Sequence, residues 1–265
     1  GDGVGTQGYR LSLFFKLVFW VGPALMRFRA CDNLHLDTIY ILLHVTLCAM
    51  FTAQDSVYSE HMNKKQLKDI TWSFSKPSKM PGYSYGLPAW ECKTGGKLAK
   101  IPGTVCFGCY AKRGFYTMYK GVKAAQYKRL KSITNPLWVR AMATQINSFK
   151  TKVFRWHDAG DIQNVKHLLK IFKVCKLTPG VKHWMPTKES QFLKHVPIER
   201  VPKNLIIRLS GTNIDGAAGK FWKYSSTVTT DPKKATCPAP KQGGKCLDCR
   251  ACWNKRIKNV AYLKH

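Results

Sequence analysis

Acidic side chains are scarce in this 265-residue chain, where 14 Asp and Glu stand against 44 Lys and Arg and leave a formal net charge of +30. Solubility alone does not call for such an excess. A basic surface of this size draws phosphate polyanions through counterion release, so nucleic acid is the leading macromolecular partner. A solvated basic surface is the plainer alternative, and charge does not separate DNA from RNA. Long apolar runs are missing too. The stretch 11–25 contains Lys16 and Pro23, and 39–53 is interrupted by His44. Neither reaches the ~20 apolar residues that span a bilayer, so no membrane partner is expected. No signal peptide is expected either, because clustered free thiols belong to a reducing compartment.

Cysteine is not scarce. Seven of the ten cysteines fall into two groups: Cys92 with the pair Cys106 and Cys109, and Cys237 with Cys246, Cys249 and Cys252. A chain of this length buries its own core and does not need disulfide staples. Two thiolates two residues apart can converge on one metal or on one face of an iron–sulfur cluster. The first group offers three ligands and the second four. A four-iron cluster held by three cysteines keeps one iron open, whereas four cysteines close it, which predicts one reactive and one structural or electron-relay site. Zinc competes at the second group. There, three cysteines at two-residue spacing and an upstream Cys237 followed by Pro238 read as a ferredoxin run with its last ligand moved. Cys31, Cys48 and Cys175 read as buried small hydrophobes.

Composition shifts at Met62. Residues 1–61 hold four basic and five acidic residues, so nearly all the positive charge lies beyond them. The expectation is an atypical extension at 1–61 with a natural start at Met62, an α/β region with the three-cysteine site at 62–236, and a cysteine-rich metal-binding segment at 237–265.

From Met62 onward the pattern alternates. Residues 112–133 have a spacing compatible with one helix, and Asn135 with Pro136 reads as the N-cap and first position of another through Phe149. Strands are expected at 153–156, 181–185, 204–209 and 224–229, with helices at 162–176 and 188–194. Such alternation implies parallel βα units and a partial (β/α) barrel, with chemistry at the carboxyl ends of the strands. Three of those ends carry polar side chains: His157, Asp158 and Asp161 around Gly160; Thr187, Lys188 and Glu189; Ser210, Thr212 and Asn213. Any one of them alone reads as ordinary turn chemistry. Together they are the best candidate pocket.

Several segments resemble the phage family known as gene product 88: Ser78-Lys79-Met80-Pro81, Leu87-Pro88-Ala89, CFGCYA at 106–111, RWHDAGD at 155–161, WMPT at 184–187, NLIIRLS at 204–210 and CLDCRACW at 246–253. The likeness covers nearly all of 62–265. It implies a phage or prophage origin and expression in the cytoplasm of a bacterial host, and little about chemistry.

A more distant resemblance is to radical S-adenosylmethionine enzymes, which are partial barrels whose open cluster is held by three cysteines, the last beside an aromatic residue, as Cys109 is beside Tyr110. It implies that Ala159-Gly160-Asp161 contacts the cofactor and that the second cysteine group is an auxiliary cluster. The first gap departs from that pattern, at thirteen residues in place of three.

On this reading His157, Asp158 and Asp161 are the candidate catalytic groups, and Tyr110, Gly160, Asp161, Thr187, Lys188 and Ser210 the candidate cofactor contacts. The implied groups are one or two 4Fe-4S clusters and S-adenosylmethionine, with an electron donor as partner. The competing reading is a non-catalytic protein, stabilised by iron–sulfur or zinc, that binds nucleic acid or regulates a host partner.

Overall fold

Residues 62–264 are described in this computed structural model; the expected extension at 1–61, with Cys31 and Cys48, lies outside them. Asn63 opens α1 (Lys64–Thr71) by a reciprocal cap. Its side chain accepts from the Gln66 amide at 3.0 Å, and Gln66 accepts from the Asn63 amide at 2.9 Å. Two N–H groups that a helix start leaves orphaned are thereby satisfied. There follow β1 (Tyr83–Tyr85), α2 (Lys93–Leu98), α3 (Phe115–Met118), α4 (Lys120–Ser132), α5 (Trp138–Ser148) and β2 (Val153–Trp156). The order continues with α6 (Val165–Leu177), β3 (Lys182–Thr187), α7 (Ser190–Leu193), β4 (Leu205–Ile214), β5 (Ser225–Thr229) and β6 (Asn259–Leu263).

All six strands are parallel, and each lies beside the one that precedes it in sequence. Crossovers between parallel neighbours are right-handed, so a sheet that always advances in one direction receives its helices on one face. The expected alternation is therefore present as an open sheet with β1 and β6 at its edges, not a closed barrel.

The helix-covered face carries the core. Phe154 and Trp156 of β2, Met185 of β3, and Leu205 and Ile207 of β4 pack with Trp138, Met142 and Ile146 of α5 and Leu168 and Ile171 of α6. Trp138 and Trp156 lie 6.2 Å apart by ring centroid. Cys175 is fully buried there, as its place on the apolar stripe of α6 implied. Alternation along a strand sends the intervening residues to the opposite face. That face receives Ser84, Arg155, Trp184, Arg208, Ser210 and Tyr262.

Three boundaries differ from expectation. The strand expected at 204–209 runs on through Ile214, so Ser210, Thr212 and Asn213 lie within β4 and not in a turn after it. The single helix over 112–133 is broken at Tyr119, which is extended (φ −101°, ψ 107°) between α3 and α4. Gly114, Phe115, Tyr116, Thr117, Tyr119 and Gly121 are weak helix formers, so the run lacks the propensity to continue through. Asn135 does not cap α5. Its side chain accepts from the Leu137 amide at 2.8 Å in a local turn, and the helix begins at Trp138.

Candidate metal and cofactor site

The loop after β1 brings Cys92, Cys106 and Cys109 into one neighbourhood. Cys92 ends a short 3-10 turn and begins α2, while Cys106 and Cys109 sit on a tight turn closed by the Cys109 amide on the Cys106 carbonyl at 3.2 Å. Gly95 lies where they meet: a Cβ there would stand 3.2 Å from the Cys92 Cβ and 3.5 Å from the Cys106 Sγ. Cys92 and Cys109 also pack against the same small residues, Ala89, Ala111 and Ala159. Burial pushes the Cys92 thiol well above its usual range, and Asp161, Cys109 and Cys106 act in the same direction. Burial raises Cys106 as well, opposed by the positive charge of Lys188.

The thirteen residues between Cys92 and Cys106 are tied to the strand ends. Glu189, just past β3 and fully buried, accepts from the Thr94 amide at 2.8 Å and the Thr94 hydroxyl at 2.7 Å. Farther along, the Val105 amide donates to the Thr212 carbonyl and the Ile214 amide to the Gly103 carbonyl, both at 2.9 Å. Ends held this way shorten the effective loop to two brief spans, so a long gap in sequence costs little in convergence.

Asp161 stands beside this group. Its Oδ1 accepts from the Ile162 amide at 2.8 Å and from the Thr187 hydroxyl at 2.6 Å, and its Oδ2 from the Lys188 amide at 2.8 Å. Burial nevertheless raises its pKa to about 7. One oxygen retains capacity for a further donor. Lys188 directs its ammonium to the Gly211 carbonyl, close enough for Cys106 and Cys109 to feel its charge. Gly160 requires its left-handed backbone (φ +74°), and a Cβ would strike the Leu87 carbonyl at 2.6 Å. The Ala159-Gly160-Asp161 backbone therefore lies directly against the loop that leads to Cys92.

Asp158 faces a second set of partners: the Ser84 hydroxyl at 2.7 Å and the Tyr116 hydroxyl at 3.2 Å, while the Tyr110 hydroxyl donates to its carbonyl at 2.5 Å. Ser210 accepts from Ser226 at 3.3 Å on the open face. His157 lies apart. Its ring is buried 5.6 Å from His167 of α6 and beside Trp156, both ring nitrogens are without partners, and burial holds its pKa well below the usual value.

The second cysteine group lies on the crossover from β5 to β6 and covers the open face. Cys237 and Cys246 are fixed by backbone bonds to Ala261 and Lys79, and Cys252 Sγ sits 3.2 Å from the Tyr262 hydroxyl. Burial raises Cys252 to about 11 and raises Cys246, with Cys237 close to both. Arg208 organises the segment. Its fully buried guanidinium donates to six carbonyls, those of Ser225, Ala251, Cys252, Asn254, Ile257 and Lys258, at 3.0–3.2 Å. Arg155 stands between the two groups: it lies 4.6 Å from the Trp184 ring, contacts the Tyr110 hydroxyl at 3.4 Å, and its charge reaches Cys246 and Cys252.

Among the described residues, no three or more His, Cys, Asp or Glu side chains form an arrangement suited to a metal ion. Sequence reasoning placed Glu189 among the strand-end pocket residues without foreseeing its bond to Thr94, and gave no chemical role to Gly95, Arg155, Arg208 or Tyr262. Arg155 sits within the RWHDAGD segment, and the alternation of β2 is the signal that would have turned it to the face opposite Phe154 and Trp156.

A family model described as Gene product 88 matches residues 55–255, beginning upstream of Met62. No curated protein and no solved structure matches the chain.

Proposed function

Since the chain belongs to the gene product 88 family, whose description carries no chemistry, we propose from its geometry that this phage protein is an iron–sulfur enzyme of the radical S-adenosylmethionine type. In this reading Cys92, Cys106 and Cys109 hold an open four-iron cluster, and Cys237, Cys246, Cys249 and Cys252 a closed auxiliary one. The carrying observation is the meeting of Cys92 and Cys106 at Gly95, with Cys109 packed beside Cys92 on the same alanines and Asp161 and Lys188 close by, at the carboxyl ends of the strands. That is the end at which α/β barrels and open parallel sheets collect their chemistry, and we take the open sheet as the wall of a partial barrel.

The donor set fits the group. Burial and neighbouring thiols raise Cys92 and Cys106, so these become thiolates only with positive charge among them. A single ion draws its thiolates to about 2.3 Å, whereas a cluster interposes its own iron and sulfide, in keeping with thiols that are neighbours without an ion-sized arrangement. When bound, an open cluster supplies one electron to a coordinated S-adenosylmethionine.

The chain's own residues do the rest. Asp161, with an oxygen to spare, accepts from the amino group of the cofactor, whose charge favours the carboxylate that burial opposes. Gly160 lets the backbone approach, Thr187 holds Asp161 through its hydroxyl, and this reading assigns Tyr110 and Ser210 to the same mouth. Lys188 balances the thiolate charge at Cys106 and Cys109. Arg155, between the two cysteine groups, offsets negative charge at Cys246 and Cys252 and joins that region to Tyr110. An external electron donor and the cytoplasm of the bacterial host belong to this reading. No helix among the described residues is long and apolar enough to cross a membrane.

Anaerobic purification tests it. Brown protein with stoichiometric iron and sulfide, and reductive cleavage of S-adenosylmethionine in the presence of dithionite, are the expected results. Colourless protein with zinc at the four-cysteine segment would replace the reading with a metal-stabilised, non-catalytic one.

A further inference from the structure

The three-cysteine loop continues into a surface of unusual composition. Phe107, Tyr110, Phe115, Met118, Tyr119, Val122 and Tyr127 are all exposed, Phe115 and Met118 at 70% and Tyr119 at 55%. The Phe115 and Tyr119 rings are parallel within 1°, with centroids 5.9 Å apart. Apolar surface of this extent is seldom left without a purpose in a soluble protein. Around it stand exposed Arg113, Lys120, Lys123 and Lys128, and the sequence holds no Asp or Glu between Glu91 and Asp158.

Glu91 accepts from the Tyr127 hydroxyl at 3.0 Å, so that ring is already engaged; the other flat rings, presented among cations, match one chemistry: unstacked bases on a phosphodiester backbone. A lipid-seeking face is built of Trp, Phe and Leu; here three of the seven side chains are Tyr, whose hydroxyls favour polar company, and only Met118 and Val122 are aliphatic. The surface also adjoins the mouth. Tyr110 directly follows Cys109, its ring meets Tyr116 edge-on at 5.9 Å, and Tyr116 packs with Cys92 and Cys109 against the same alanines.

We propose that the α3–α4 surface binds single-stranded nucleic acid, stacking bases on Phe115 and Tyr119 and holding phosphates with Arg113, Lys120 and Lys123, so that a neighbouring nucleotide reaches the three-cysteine mouth. The inference rests on the proposed function for what the strand is delivered to, and not for the binding itself.

The experiment is fluorescence anisotropy of a labelled mixed-sequence 15-mer, as single strand and as duplex, at about 50 and 200 mM salt. The whole chain is compared with Phe115→Ala/Tyr119→Ala and with Arg113→Ala/Lys120→Ala/Lys123→Ala, and iron content is measured on each. The double aromatic variant is expected to bind the single strand about tenfold or more weaker, with its salt slope unchanged and its iron retained. The triple basic variant is expected to lose about two units of that slope, at about 0.7 per phosphate contact on a single strand. An aromatic variant that binds as tightly as the parent overturns the proposal, as does a loss equal for single strand and duplex. Binding of this surface to vesicles of phosphatidylglycerol but not to the oligonucleotide would assign it to a membrane instead. Iron-free protein with the expected loss of affinity would sink the cluster reading and leave this one standing.

Discussion

Glu189 and Thr94 are joined twice, amide to one carboxylate oxygen and hydroxyl to the other, across 95 positions of sequence. The pair fastens the first turn of α2, and with it Cys92, to the end of β3. A glutamine at 189 keeps the size but turns an NH2 toward one donor. Glu189→Gln is expected to lower stability by about 1–3 kcal/mol and to speed proteolysis within 93–105, measured by urea midpoint and by mass spectrometry of the fragments. Unchanged cleavage there would mean that the pair does not hold the loop.

Gly95→Ala sets two effects against each other. Alanine within a helix is favoured over glycine by roughly 1 kcal/mol, yet its methyl would press on Cys92 and Cys106. The expected result is a melting temperature equal to or above the parent's with reduced iron at the first site. Cys106→Ala should remove that site outright and lower total iron by about half if both groups hold four-iron clusters. Iron unchanged in Cys106→Ala would show that the first group is not a cluster site.

How much of this was legible follows from the residues. Strands β2 to β4 announced themselves because β-rich runs alternate with helices, and Val165, Leu168 and Phe172 mark one face of α6; β5, with no helix before it, was legible from its β-rich run alone. Strand β1 has only three residues, Tyr83 to Tyr85, too few for any period to register, and β6 follows a cysteine segment without the helix that normally separates parallel strands. The strand-end residues were visible as polar turns, but which of them meet was not. His157 and Asp161 are four positions apart, yet one turns among the aromatic rings of the helix side and the other toward the thiols, a difference set by the positive φ values of His157 and Gly160. Arg208 was hidden for another reason: its partners are backbone carbonyls, which leave no trace in side-chain identity.

Arg208→Met tests that last point. Six carbonyls would lose their donor inside the protein, and the cost is expected to be about 4 kcal/mol or more. Hydrogen exchange should accelerate first between Cys249 and Lys258. Uniform acceleration across the sheet would show that the guanidinium supports the whole fold and not that segment in particular.

Acid should unfold the protein through its histidines. Burial lowers His167 and His183 from 6.5 to about 3 and holds His157 well below its usual value. The unfolded chain binds these protons and the folded chain does not, so stability is complete above pH 6.5 and falls as pH drops toward 3. At pH 5 each of His167 and His183 costs about 2 kcal/mol. His183→Gln can keep a bond to Thr178, whose hydroxyl lies 2.8 Å from the ring Nε2. Its urea midpoint should therefore change less between pH 7 and pH 5 than the parent's, and an equal change would remove His183 from the account.

The six-carbonyl cradle of Arg208 also orders events during folding. Five of its acceptors lie between Ala251 and Lys258, 43 to 50 positions farther along the chain. A chain that has already paired β3 with β4 must therefore keep this guanidinium hydrated until the crossover from β5 to β6 is laid across the open face. The cover can close only over a sheet whose middle already exists.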